Sequence, residues 1–218
     1  MTKRLEMIFE NIPPCKSFAD IGCDHGFIAQ KMIQSGKCSN VTISDISAPS
    51  LQKAEKLLKR EIELGLVTPV CADGLAKISH QTEVVLIAGM GGEEIIKILN
   101  DSCFLPPVLV LQPMKNLDKV RIELQKMGYG IIKDFLFYDK KYYNLLVCKF
   151  GEKCEPYSDL EIKLGRTNLQ ERSEDFLTYL KNEIKAINDY ISLIISKEVK
   201  MEVHAELALL KEVLNGNK

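Results

Sequence analysis

The 218-residue chain has no tryptophan, only three histidines and no excess of either charge: 29 Lys and Arg stand against 30 Asp and Glu, a net charge of -1. That balance excludes a globally basic nucleic-acid-coating protein, so any surface for a polyanion must be a local patch. No apolar run approaches the ~18 residues of a spanning helix. The opening residues, Met1 to Met7, lack the apolar core of a secretion signal. Cys15, Cys23, Cys38, Cys71, Cys103, Cys148 and Cys154 show no C-x-x-C spacing. Zinc sites announce themselves by such pairs, and disulfide frameworks belong to small secreted chains. The reading is a cytoplasmic protein with reduced, mostly buried thiols, no metal and no membrane association. Also missing is G-x-G-x-x-G, the turn that seats a pyrophosphate on a helix start.

In its place stands Phe-Ala-Asp-Ile-Gly-Cys-Asp-His-Gly, residues 18 to 26, followed by an apolar-periodic stretch (Phe27, Ile28, Met32, Ile33). The pattern predicts strand, tight turn and helix. Gly22 permits backbone angles and close approaches that a Cβ resists. Gly26 opens the helix, whose first N–H groups are free donors. Asp20 and Asp24 occupy the place that the pyrophosphate fingerprint leaves for anions, so they suit a cationic or neutral ligand. S-adenosylmethionine carries an ammonium and a sulfonium and no phosphate. The D-x-G-x-x-x-G pattern resembles motif I of class I S-adenosylmethionine-dependent methyltransferases.

The remaining segments extend an α/β plan. Residues 3 to 12 read as a short amphipathic helix ended by Pro13 and Pro14, with Arg4 a candidate substrate contact. Val41 to Ile46 reads as a strand bearing Asp45 at its end, about 20 residues past the glycine turn, where α/β folds hold ribose hydroxyls. A helix is expected over 50 to 64, with Lys53, Lys56, Lys59 and Arg60 on its outer face. Pro69 to Ala72 is a strand leading into Asp73-Gly74. Val84 to Ala88 is a continuous apolar run, the mark of a strand buried on both faces. It runs into Gly89, Met90, Gly91 and Gly92, glycines that leave room for a flat base and offer backbone donors. Val108 to Leu111 ends in Gln112-Pro113, with Asn116 close behind. Residues 131 to 138 and 142 to 150 read as an antiparallel hairpin.

Past Glu152 the strand signal stops. Leu177, Leu180, Ile184, Ile187, Ile191 and Ile194 form a heptad-like stripe, and Val203, Leu207, Leu210 and Leu214 form another. They predict an appended coiled-coil hairpin, with a break somewhere over 196 to 200. Residues 1–154 would then be a cofactor-binding catalytic domain. Residues 155–218 would be a helical domain, either structural or dimeric, or a rigid arm offering Arg166, Arg172, Lys181 and Lys185 to a polyanion.

The stretches ADIGCDHG, SDIS, ADGL, IAGMGGEEI and LQPMKN, in that order and followed by the hairpin and helical tail, resemble the bacterial tRNA (adenine-22-N1)-methyltransferase family over nearly the whole chain. The resemblance implies a Rossmann-like class I methyltransferase sheet and S-adenosylmethionine as cofactor. It implies transfer to N1 of a tRNA adenine at position 22. Asp20, Gly22, Cys23, Asp24, His25 and Gly26 would line the methionine end of the cofactor. Asp45 would face the ribose and Asp73 the adenine, with Ile46, Ala72, Gly74 and Ala88 also lining the cofactor. Gly89 to Gly92, Gln112 and Pro113 would form the catalytic pocket. Arg4, Asn116, Arg166 and Arg172 are candidate substrate contacts. Family members carry threonine at the position of Cys23 and asparagine at that of Met114; the second change removes an amide beside the base pocket, which Asn116 could replace.

The in-plane N1 lone pair needs no general base, so none is assigned. The expected enzyme works alone as a monomer. Three other readings stay open on the residues. The acceptor could be another RNA base, a small molecule or a protein; the chain could be a nicotinamide oxidoreductase; or it could be a non-catalytic RNA-binding scaffold.

Overall fold

In the computed structural model, which describes residues 1–216, α1 (Lys3–Asn11) leads into β1 (Cys15–Ile21) and α2 (Phe27–Gln34). Then follow β2 (Cys38–Asp45), α3 (Ala48–Leu57), α4 (Lys59–Glu63), β3 (Val67–Cys71), β4 (Val84–Ala88) and α5 (Gly92–Asn100). β5 (Val108–Gln112), α6 (Leu117–Lys126), β6 (Tyr129–Asp139) and β7 (Lys141–Phe150) complete the sheet. The strand order is β3-β2-β1-β4-β5-β7-β6. β1 to β5 run parallel, and β7 is antiparallel to both its neighbours. This is the Rossmann-like sheet with a terminal hairpin that the sequence pattern predicts.

The centre of the sheet lies where its sequence is most uniformly apolar. Val84 to Ile87 of β4 are all buried, as a strand covered on both faces must be. Alternate residues divide between two cores. Phe18, Val41, Ile43 and Leu86 pack with α1, α2 and α3 on one face. Ala19, Ile21, Val85, Ile87 and Leu109 pack with α5 and α6 on the other. α1 begins at Thr2, whose hydroxyl accepts from Leu5 N at 3.3 Å, and Pro13 and Pro14 stop it before β1.

The helix expected over 50 to 64 is two. Leu58 leaves helical geometry, with φ -102° and ψ 16°. It is fully buried, and its Cδ1 lies 2.9 Å from where a Cβ on Gly26 would fall. The break therefore sits where α3 crosses the start of α2. Of the seven cysteines, three are buried and three exposed, so the thiols are less uniformly interior than their apolar character suggests.

After the hairpin come two short helices that periodicity does not reveal, α7 (Asp159–Leu164) and α8 (Arg166–Glu171). The long pair α9 (Glu174–Tyr190) and α10 (Lys197–Leu214) follows. The seam contains Leu180, Ile184, Ile187 and Ile191 against Val203, Leu207, Leu210 and Leu214. Phe176 replaces Leu177 in it, and Val213 joins. The helices part earlier than expected, at a 3₁₀ turn over Ile191–Leu193; Ile194 is extended. Ser196 then caps α10 by accepting from Val199 N.

A buried polar cluster fastens these helices to the sheet. Arg121 of α6 makes a bidentate pair with Asp134 of β6, at 2.7 and 2.8 Å, with both side chains buried. Its remaining donor reaches Ile162 O at 2.8 Å and Lys163 O at 3.2 Å. Asn168 of α8 accepts from Leu136 N at 2.9 Å, and Leu136 itself belongs to the apolar core of the helical segment. A paired, hydrogen-bonded charge can be buried without heavy loss, whereas an unpaired one cannot.

Candidate active site

Open parallel sheets bind ligands at the carboxyl ends of their strands. Here the ends of β1, β2, β3 and β4 surround a cavity of about 600 Å³. β1 contributes Asp20 and the turn Gly22, Cys23, Asp24 and His25; β2 contributes Asp45 and Ile46; β3 leads into Ala72, Asp73 and Gly74; β4 supplies Ala88, Gly89 and Met90. α1 forms a further wall with Thr2, Arg4, Leu5 and Ile8. Fourteen positions singled out from the sequence thus meet in one place.

Asp20 dominates the electrostatics. It is 5% exposed, and among the described residues no group donates a hydrogen bond to its carboxylate. Burial first, and the nearby Asp45 second, push its carboxyl up to about 7. Cys23 is raised as well, by burial and then by Asp20 and Asp45. Asp45 is held by its own turn, with Oδ1 accepting from Ser47 N at 2.8 Å. Asp24 is a different kind of acid. Burial pulls its carboxyl upward, but hydrogen bonds from His25 Nδ1 at 2.7 Å and Lys53 Nζ at 3.2 Å prevail and hold it below the ordinary range. Asp24 has φ 45°, in the left-handed region that Asp tolerates better than most residues.

The turn after β4 is laced to the segment after β5. Gly89 N donates to Gln112 O, Met114 N to Met90 O and Gly92 N to Lys115 O, at 3.0, 2.9 and 3.0 Å. The first glycine serves the cavity: Arg4 Nη2 lies 3.1 Å from where a Cβ on Gly89 would be. Met90 closes over the first turn, so a Cβ on Gly22 would run into its Cε.

Several expected pocket residues lie elsewhere. Gly92 faces the 113–116 segment, where a Cβ would fall 2.6 Å from Lys115 O and 2.7 Å from Asn116 O. Gly91 lies beside Lys115, and Gly26 packs on Ala54 of α3 and on Leu58 at the break after it. Close packing, not ligand access, explains the lack of a side chain at Gly92 and Gly26. Gln112 and Pro113 are buried behind the cavity. Gln112 Oε1 accepts from Arg4 Nε at 2.8 Å, so it reaches the cavity through Arg4. Asn116 begins α6 without capping it by its side chain, away from the cavity wall. Arg166 is engaged by Glu161 and by Pro156 O, and its guanidinium lies 4.3 Å from the Tyr157 ring centroid. Arg172 donates to Val213 O and Leu214 O, at 2.7 and 2.9 Å, closing the end of α10.

What sequence reasoning missed is the share of α1. Its apolar face reads as ordinary core, and nothing local shows that Thr2, Leu5 and Ile8 border a cavity. The tie that sets α1 there, Arg4 N to Asp139 Oδ2 at 2.8 Å, spans 135 residues.

The sheet order and the acids along its carboxyl edge define a Rossmann-like cofactor-binding domain of the methyltransferase class. A family model described as "Methyltransferase domain" matches residues 1–146. The chain belongs to that methyltransferase domain family. It is 27% identical over 231 aligned positions to the tRNA (adenine(22)-N(1))-methyltransferase of Bacillus subtilis, covering 99% of this chain and 97% of that one. A Mycoplasma pneumoniae protein is 33% identical over 132 residues, 61% of this chain and 62% of that protein, so the match spans less than two thirds of its length. The crystal structure of Streptococcus pneumoniae Sp1610 superposes with a TM-score of 0.90 at 25% identity, covering 98% of this chain and 99% of that one. The same protein has been solved in complex with S-adenosyl-L-methionine, with a TM-score of 0.87 at 24% identity and 98% and 99% coverage.

Proposed function

We propose that the chain methylates N1 of the adenine at position 22 of tRNA, with S-adenosylmethionine as methyl donor. The observation that carries this reading is Asp20, a buried carboxylate without a cationic partner among the described residues, set beside Asp45 in the cavity. Such a site repels phosphate and calls for a cation. The ammonium and sulfonium of S-adenosylmethionine fit that requirement, and a pyrophosphate-bearing nicotinamide cofactor does not. The full-length likeness to the Bacillus subtilis enzyme supports the choice of acceptor.

Asp20 and the turn from Gly22 to His25 would hold the amino-acid end, Asp45 the ribose and Asp73 the adenine. When bound, the cofactor supplies an electrophilic methyl group. The adenine N1 lone pair lies in the ring plane and is nucleophilic without deprotonation. What the protein must do is align the two, with reacting atoms about 3–3.5 Å apart. Gly89 and Met90 wall the space for the base, and Arg4, fixed by Gln112, borders it. N1 is on the pairing edge, so the base must be unpaired or extruded to react. We assign residues 1–154 to catalysis and 155–218, of which 217 and 218 lie outside the described residues, to a domain that supports the tRNA through exposed bases such as Lys181 and Lys185 on α9. The enzyme works as a cytoplasmic monomer. Among the described residues no helix is long and apolar enough to cross a membrane.

The test is transfer of label from S-adenosylmethionine to unmodified tRNA transcripts, followed by mapping of the modified nucleoside. Label in 1-methyladenosine at position 22 is expected. Label elsewhere, or none, refutes the assignment.

A further inference from the structure

Beside the cofactor cavity lies a second one of about 500 Å³, lined by Met1, Thr2, Leu5, Phe27, Gln30, Lys31 and Gln34. It shares Thr2, Leu5 and Phe27 with the first, so the two adjoin at the start of α2. At the junction the rings of His25 and Phe27 are stacked, with centroids 5.5 Å apart and planes within 3°. Both are exposed, Phe27 at 45% and the His25 side chain at 49%. Phe27 takes no part in the buried stripe of α2, which is Ile28, Ala29 and Met32. The His25 ring is fixed by Asp24, which Lys53 holds in turn. An exposed, stacked aromatic pair at the lip of the cavity is a platform without an occupant from this chain.

The rest of the second cavity has the chemistry to complete a nucleotide site. Met1 and Leu5 offer an apolar floor. Gln30 and Gln34 each bring an amide donor and acceptor suited to a base edge. Lys31 stands over the Phe9 ring at 4.8 Å and, among the described residues, has no carboxylate partner, which leaves its ammonium available to a phosphate. We infer that this groove seats the nucleotide adjoining the target adenine, its base stacked on Phe27 and His25 while the adenine turns into the cofactor cavity. The inference rests on the RNA substrate proposed above and adds to it a place for the neighbouring base. Extruding one base unstacks the next, and an aromatic platform replaces the lost partner without regard to sequence.

The experiment uses the full chain and unmodified tRNA transcripts carrying 2-aminopurine on the 3′ or the 5′ side of the methylated adenine. Wild-type protein should quench one of the two probes on binding. Phe27→Ala should abolish the quenching and raise the KM for tRNA about tenfold to a hundredfold, the range of one lost base–aromatic stack, with cofactor affinity retained. Phe27→Tyr should keep the quenching. Gln30→Ala and Gln34→Ala, made together, should also raise the KM for tRNA. Quenching and KM unchanged in Phe27→Ala overturn the subsite, as does a loss confined to cofactor affinity. A wild-type chain that methylates no tRNA adenine overturns the proposed function and the subsite with it; normal wild-type transfer with an indifferent Phe27→Ala overturns the subsite alone.

Discussion

Cofactor affinity should depend on pH through Asp20, and Asp20→Asn should separate affinity from stability. Asp20 lies in the cavity with its carboxyl raised to about 7 by burial and by Asp45. Of the other titratable groups lining the cavity with it, Cys23 is also raised and Asp24 is held low by His25 and Lys53; Arg4, His25, Asp45, Asp73 and Glu94 complete the set. A cationic ligand binds the ionised carboxylate. In the free protein the ionised fraction of Asp20 falls from about nine-tenths at pH 8 to one-tenth at pH 6, so affinity should weaken about tenfold, or about 1.4 kcal/mol. The sign for folding is opposite. The unfolded chain loses this proton near the ordinary carboxylate value and the folded chain only near 7, so the ligand-free fold loses stability as pH rises through that window. The penalty, complete above 7, is up to about 4 kcal/mol. Asp20→Asn therefore should bind S-adenosylmethionine weakly and without pH dependence, yet unfold at higher urea than wild type at pH 8. Calorimetric titration at pH 6, 7 and 8 and urea unfolding at pH 8 measure both. A wild-type affinity that is flat over this range, or an Asn variant that is less stable and binds as well, would refute the reasoning.

Three further outcomes follow from packing. Asp134→Ala leaves Arg121 buried without its partner and should cost about 3–5 kcal/mol in urea unfolding; a loss under about 1 kcal/mol would mean that the cluster does not anchor the helices. Gly92→Ala sets a Cβ against the Lys115 and Asn116 carbonyls, so it should destabilise by about 1–3 kcal/mol and lower methyl transfer, since the same segment is laced to Met90; wild-type stability and rate would count against it. Arg4→Ala strips the partner from the buried Gln112 Oε1 and removes a cation from the cavity wall. Initial rates should show kcat/KM for tRNA down tenfold or more, and an unchanged value would remove Arg4 from the site.

The parts of this fold that are legible in its sequence are those whose cause is local. A buried strand must be apolar over successive residues, so Val84 to Ala88 declares itself. A strand-to-helix turn needs glycine and tolerates acids, so Asp20 to Gly26 does as well. Glycine is legible as a missing Cβ but not as a reason for missing it. Gly89 yields room to Arg4, whereas Gly92 and Gly26 yield it to backbone and to α3, and a run of glycines looks alike in either case. The helical tail shows the same division. Its long stripes repeat and are visible. α7 and α8 are too short to show a period, and what holds them is an arginine in α6 reaching Asp134 13 residues away and Ile162 41 residues away. An isolated Arg or Asp gives no sign of being buried until its partner is known. The same holds for α1, whose helical character is written in its own residues while its position over the cavity is set by Asp139 of the hairpin turn. The cofactor side of the site, built from consecutive turn residues, is therefore readable in one dimension. On the proposed substrate side the turn after β4 is legible as well, whereas the share of α1 and α2, where the proposed Phe27 platform lies, is readable only once the chain is folded.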